Sequence, residues 1–419
     1  LLSPHFIRPD YNGQNFYQIP QTICHLLTPT ETLQPPPLDL GPLARLDKPY
    51  KKIVCLFVDA LGWRFLQPRI DDYPMLREIA QHGHIAQLTA QFPSTTAAHM
   101  TTFHTGLSSG QSGLFEWQIY DPDIDELICP LLFANARQRR RDTLNPQKLK
   151  PSQLYPKNRF YPTLHQHGIH TTAYVPSSYV HSTYSQSIIL ANDRLGYNTL
   201  SEGLFNLRER IERTSSPAYF SFYCADIDTI SHRYGPTSPQ VHEEIDLTLT
   251  LIERLLFRKL QGSAHDTLFL LSADHGQVDT DPQRTFFLNT DPRFAPLLPM
   301  LRKTRKGDFI APVGSARDLF LHITPPYLEQ AFAFLQTAFD GIAQVLYTKD
   351  LIEHGFFGPP PLHPKLSERT GDIVILPFQG EAVWWYEKNI FDQPFYGHHG
   401  GLTPEEMLIP LLAYDFSPR

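Results

Sequence analysis

Long apolar runs are missing from this sequence. No stretch is long enough to cross a bilayer as a helix, so an integral helical membrane protein is not expected. Positive charge is not in excess. Lys and Arg number 36 against 43 Asp and Glu, and the formal net charge of −7 argues against a general nucleic-acid surface. Cysteine is scarce. The four residues Cys24, Cys55, Cys129 and Cys224 have no metal-ligand spacing. Cys55 and Cys224 fall in apolar, strand-like runs, which predicts buried thiols rather than disulfides. No internal repeat is evident. No leader-like segment is visible either, and a cytoplasmic location is the expectation. The start at Leu1 rather than Met also fits a processed chain.

What is present is an ordinary globular composition. The 419 residues are 41% hydrophobic and 19% charged, enough for one large domain with an insertion or for two domains. Proline is plentiful, 38 residues, with clusters at Pro35-Pro36-Pro37 and Pro359-Pro360-Pro361 that read as stiff connectors. Residues 1–50 read as an irregular, Pro-rich lead-in that wraps the core. Strands are expected at 52–58, 85–89, 171–175, 218–225, 267–273 and 373–376. Several are continuous apolar runs, as for strands covered on both faces. The clearest helix is 239–260, with Ser238 as N-cap, Pro239 in the first turn, and Val241, Ile245, Leu249, Ile252 and Leu256 on one face. Strand–helix alternation predicts an α/β fold with a mostly parallel central sheet and helices on both faces. The stretch 280–370 breaks that rhythm and reads as a small inserted α+β cap. The core is then 1–279 and 371–419.

Three of the expected strands end in the same chemistry. "KIVCLFVD" ends on Asp59, "AYFSFYCADID" on Asp226 and Asp228 with His232 four residues on, and "TLFLLSADHG" on Asp274 and His275. Ligands of open α/β sheets bind beyond the carboxyl ends of the strands, so these side chains should converge. Clustered carboxylates need positive charge, and oxygen with imidazole donors suits zinc, manganese or iron. In "QFPSTTAAHMTTFHTG" a helix is expected from Thr96 to Gly106. Ser94, Thr95 and Thr96 then stand at a helix N-terminus, which favours an anion such as phosphate. A metal-bound hydroxyl there could attack phosphorus. "YGHHGGLTPEEMLIPLL" adds His398 and His399. Each piece alone has an ordinary explanation as a turn, a cap or a surface pair; their joint occurrence points to one binuclear site.

"FVDALG", "FPSTTAAHMTTFHTGLSSGQSG", "DIDTISHRYGPTS", "SADHGQ" and "GHHGGLTPEEMLIPLL" together resemble the alkaline phosphatase superfamily, in its type I phosphodiesterase/nucleotide pyrophosphatase branch. The resemblance implies an alkaline-phosphatase-like three-layer sandwich. It also implies two divalent metal ions, foremost Zn2+, with Mn2+ or Fe as alternatives. Asp228, His232 and His399 would hold one, and Asp59, Thr96, Asp274 and His275 the other. Thr96 would be the nucleophile of a covalent phospho-threonine mechanism. Asp226 and His398 would lie behind the ligands or in the pocket. Where the nucleotide pyrophosphatases carry an Asn that hydrogen-bonds a phosphoryl oxygen, this sequence has Trp117, so phosphate contacts must differ. The implied substrate is a small phosphate ester or nucleotide. A phosphomonoesterase or a metal-dependent phosphomutase on the same scaffold are the alternatives, with a decayed, non-enzymatic site as a third. The basic cluster 136–141, and Phe115, Tyr120, Trp384 and Trp385 beside Trp117, are candidates for further phosphate or base contacts.

Overall fold

The structure is a computed structural model that describes residues 2–28, 37–44, 49–138 and 140–417. Pro35, Pro36 and Arg139, three of the residues singled out above, lie outside the described residues. A seven-stranded sheet forms the centre. In chain order its strands are β1 (Lys52–Val58), β2 (His84–Thr89), β3 (His170–Pro176), β4 (Asp193–Tyr197), β5 (Ala218–Cys224), β6 (Thr267–Ser272) and β7 (Leu408–Asp415), arranged β2-β7-β6-β1-β5-β3-β4. All pairings are parallel except those of β7, which runs antiparallel to both neighbours.

Composition follows position in the sheet. Every residue of β1, β5 and β6 is buried, because helices cover both faces at the centre. The edge strands β2 and β4 are mostly half-exposed and carry His, Gln, Asp and Arg, which discourages further pairing. One helix group comprises Ile19–Leu27, α1 (Thr96–Thr105) and Phe160–Gln166. The other comprises Leu200–Arg213, α2 (Asp226–Tyr234) and α3 (Pro239–Leu251). α3 continues through a π-helical stretch, Ile252–Phe257, to Leu260, so the expected 239–260 helix is one rod with an irregular turn. Ser238 caps it, and the five predicted face residues are all buried.

Three expectations are corrected. The lead-in is not wholly irregular: Ile19–Leu27 is helical, with Pro20 in its first turn and Ile19 and Ile23 in the core. The apolar run at 373–376 is not a strand of the main sheet. Ile373–Pro377 is the middle strand of a small antiparallel sheet, between Leu319–Leu321 and Ala343–Tyr347. An apolar run reports burial on both faces, and the middle of a small sheet supplies that as well as a large one does. The edge strand β4 was not foreseen, and neither was the seventh core strand, β7. It holds Pro410, which pairs with Gln87 of β2 just beyond the overlap with β6, so no ladder bond to β6 is lost. A second small sheet, Ile119–Asp121, Glu126–Cys129 and Ala134–Asn135, lies outside the main one.

Candidate active site

The site lies at the carboxyl ends of β1, β5 and β6. Directly after β1, the Asp59 N–H donates to Cys224 O at 2.9 Å. Ala60 then takes a left-handed turn, φ 61°, and its N–H donates to Asp274 Oδ1 at 3.1 Å. This turn locks the Asp59 and Asp274 loops together. Both acids are buried, and so is His275, whose N–H also donates to Asp274 Oδ1, at 3.0 Å.

Asp228 and His232 stand one turn apart on α2 and share a face, with Oδ1 and Nε2 3.4 Å apart. His399 arrives from the loop before β7, its Nε2 3.8 Å from Asp228 Oδ1. Thr95 caps α1 by accepting from the Ala98 N–H, which makes Thr96 the first helical residue. Thr96 Oγ1 lies 3.2 Å from His275 Nε2 and 3.4 Å from Asp59 Oδ2. All seven expected ligand positions therefore meet in one place. Two subsets have ligand atoms within 4.8 Å of one another: Asp228, His232 and His399, and Asp59, Asp228 and His275. Asp228 belongs by distance to both, although the resemblance gave it to the first alone.

The histidine orientations carry chemical information. Nδ1 of His232, His275 and His399 lies 2.7, 3.0 and 2.9 Å from the carbonyls of Gly397, Gly276 and Ser94. A carbonyl only accepts, so each Nδ1 holds the hydrogen and each Nε2 presents a lone pair. Those lone pairs face carboxylate oxygens: His275 Nε2 is 3.2 Å from Asp274 Oδ2 and 3.6 Å from Asp59 Oδ1. Neither of these two buried oxygens has a hydrogen-bond partner. Lone pairs facing orphaned oxygens across such gaps are an arrangement that a cation between them would satisfy, and this donor set fits one.

The ionisation preferences agree. Burial, then the charges of Asp274 and Asp228, pushes Asp59 well above the carboxylate range, and burial pushes Asp274 up to about 7. Burial and the neighbouring His399 hold His275 well below the usual imidazole range, and burial lowers His399 to about 4. Three acids this close stay ionised only with positive charge among them.

Above this floor opens a cavity of about 690 Å³ whose walls include Trp117, Leu131, Arg141, Tyr179, Trp384 and Phe395. Asp274 and His275 sit beneath it. Trp117 and Trp384 face the cavity as candidates, whereas Phe115, Tyr120 and Trp385 do not line it. Phe115 packs on Phe320 and Phe357, Tyr120 on His322, and the Trp385 indole donates to Glu387. Of the basic cluster, Arg141 reaches the wall and Arg137 pairs with Glu387. Asp226 turns back toward Cys224 Sγ, at 3.5 Å, and the His398 Nε2 meets Gln393 rather than the floor.

Two supporting residues went unread in the sequence. The Tyr223 hydroxyl donates to Asp59 Oδ2 at 2.5 Å, and the Gln277 amide donates to Asp228 Oδ1 at 2.5 Å. Gln277 stands in the "SADHGQ" piece, two residues past His275, so position alone could have flagged it. Tyr223 looks like any aromatic of a buried strand.

The family model for type I phosphodiesterase/nucleotide pyrophosphatase matches residues 53–402. Among solved structures, human ectonucleotide pyrophosphatase/phosphodiesterase 5 superposes with a TM-score of 0.62 at 18% identity, covering 87% of this chain and 88% of that one. The murine enzyme gives 0.61 at 18% identity over the same shares, as does its inactive Thr-to-Ala form in complex with AMP. At this identity the likeness fixes the fold, which is that of the alkaline-phosphatase-like enzymes. No curated protein sequence matches at a significant level.

Proposed function

Because the chain belongs to the type I phosphodiesterase/nucleotide pyrophosphatase family and is a phosphodiesterase-like hydrolase, we propose that it cleaves small phosphodiesters or nucleotides through a phospho-threonine at Thr96. The observation that carries this reading is the inward set of imidazole lone pairs: that of His275 faces the orphaned oxygens of Asp59 and Asp274, and those of His232 and His399 face Asp228 Oδ1. His232 and His399 with Asp228 would hold one divalent cation, foremost Zn2+; Asp59, Thr96, Asp274 and His275 would hold the other. Two such cations would supply charge for three clustered carboxylates, ease ionisation of a hydroxyl or water, and stabilise a leaving oxygen.

Residues of the chain do the rest. Tyr223 fixes Oδ2 of Asp59 and leaves Oδ1 free to ligate, and Gln277 orients Asp228 through Oδ1, the oxygen that faces His232 and His399. Thr96 Oγ1 sits at the positive end of α1, where a phosphoryl group is favoured. Its attack forms an Oγ–P bond and breaks the P–O bond to the leaving alcohol. Water then breaks the Oγ–P bond, releasing the phosphoryl product and restoring the hydroxyl. A nucleotide substrate is supported by the AMP complex of the murine relative. The small sheet joins Leu319–Leu321 and Ala343–Tyr347, inside the cap expected at 280–370, to Ile373–Pro377, which was expected in the core, so the cap is proposed to run on through Pro377.

The test is Thr96→Ala on metal-replete protein with an aryl phosphodiester. Turnover should fall roughly 10³-fold or more, while elemental analysis still finds both metals. Wild-type turnover in that variant would refute the nucleophile. A chelator-treated wild type that stays fully active would refute the metal requirement. Comparing an aryl monoester, an aryl diester and a dinucleotide separates the monoesterase alternative.

A further inference from the structure

Glu116 and Asp318 are two fully buried acids that the reaction scheme does not use, and Glu116 lines the cavity wall. Their carboxyls face each other within hydrogen-bonding reach. The Glu116 Oε2 accepts from the Trp117 N–H, whereas Glu116 Oε1 and Asp318 Oδ2 have no donor of their own. Neither acid has an ion-pair partner among the described residues. Arg317, next in the chain, turns its guanidinium to Glu406.

Counting hydrogens decides the state of the pair. Ser315 Oγ lies 2.5 Å from Asp318 Oδ1 and 2.9 Å from the His399 carbonyl. A serine hydroxyl owns one hydrogen and can serve only one of these oxygens. The acid-to-acid contact needs a hydrogen too. The Ser315 N–H already serves Asp318 Oδ1 at 3.0 Å, which leaves the hydroxyl to the His399 carbonyl, so the contact that two ionised carboxylates would leave without a proton is the one between the acids. Burial pushes Glu116 up to about 8, and burial with the neighbouring Glu116 charge holds Asp318 well above the usual carboxylate range.

We propose that Glu116 and Asp318 form a proton-bridged pair that positions His399, through Ser315, and Trp117, through its N–H. The pair ties three parts of the site together: the wall segment before Ile119–Asp121, the edge strand Leu319–Leu321 of the small sheet, and the loop presenting His399. The fit is close, since a Cβ on Gly400 would stand 2.4 Å from Ser315 Oγ and 2.6 Å from Asp318 Oδ1. Besides each other, the titratable group facing the pair is the Cys129 thiol, from the strand Glu126–Cys129. The proposal rests on His399 acting as a ligand, as in the reading above.

The test compares Glu116→Gln with Glu116→Ala in the metal-replete protein. Two readouts are followed from pH 6 to 10: kcat/KM on an aryl phosphodiester, and Zn2+ retention against a competing chelator. The wild type should lose both as the shared proton leaves. Gln donates an N–H to Asp318 at any pH, so Glu116→Gln should hold activity and Zn2+ at alkaline pH, several-fold above wild type. Glu116→Ala should be impaired throughout. An alkaline limb unchanged in Glu116→Gln, or Gln and Ala variants that behave alike, would overturn the proposal. If Glu116→Ala fails to fold, Glu116→Gln alone decides. If no protein hydrolyses the diester, the functional reading fails and Zn2+ retention still judges the pair. A stoichiometric third metal lost in both variants would overturn the proton bridge in favour of a cation.

Discussion

The floor and the wall of the cavity are parts of one site built to different standards. Each acid on the floor stands just past a strand of the seven-stranded sheet, or on the helix that follows one, and Asp59, Asp274 and His275 are buried. The wall comes from short pieces outside that sheet. Trp117 stands 47% exposed on a turn, and Arg141 sits on a loop. Chemistry that tolerates little displacement rests on rigid elements, while the groups that meet the variable part of a substrate rest on loops. The contrast predicts that replacing a floor acid or histidine costs metal and rate together, and that replacing Trp117 or Arg141 on the wall costs substrate choice alone.

His399→Ala is the most severe way to test that contrast. It removes a ligand and leaves Asp228 and His232 as the remaining members of their group. Bound metal should fall from two to one per chain, with turnover down by ~10³-fold. Trp117→Ala is the matching wall variant and should keep both metals. Equal metal loss in the two variants would erase the distinction between floor and wall.

A gentler floor change is Tyr223→Phe, which deletes the donor to Asp59 Oδ2 and keeps the ring packed on Phe57. An outer hydrogen bond of this kind is worth about 10- to 100-fold in metal affinity or activity. Chelator competition should show it; an unchanged affinity would mean the orientation of Asp59 is set by the Ala60 turn alone.

The floor was legible in the sequence because a strand ending on an acid is a local pattern, and the sheet's parallel order gathers those ends without long-range detail. Asp59 and Asp274 needed only their own strands to be recognised, whereas Asp228 stood level with Asp226 on that pattern and the resemblance chose between them. The wall has no such signature. Trp117 could be placed only by counting along a loop, and Phe115, two residues earlier, faces the core instead. Tyr223 and the Glu116–Asp318 pair depend on contacts between residues 164 and 202 positions apart, which no local reading supplies. β7 escaped for a related reason. Its apolar run holds Pro410, and only the paired structure shows that the missing N–H falls outside the overlap with β6.

The wall's smallest expected effect sits at Arg141, the one Lys or Arg among the described residues that line the cavity. Its guanidinium lies 4.5 Å above the Tyr179 ring and has no ion-pair partner among the described residues. Once two divalent cations offset the three floor carboxylates, one net positive charge remains for the phosphoryl group under attack. A second anionic group on the substrate would then be met by Arg141. Arg141→Gln should raise KM for a nucleoside triphosphate or dinucleotide polyphosphate by about tenfold, the value of roughly 1.4 kcal/mol from one charge-assisted contact. An aryl phosphodiester, with a single negative charge, should respond far less, and metal content should hold. A proportional loss on both substrates would place Arg141 with the floor, as part of the reaction rather than of its selectivity.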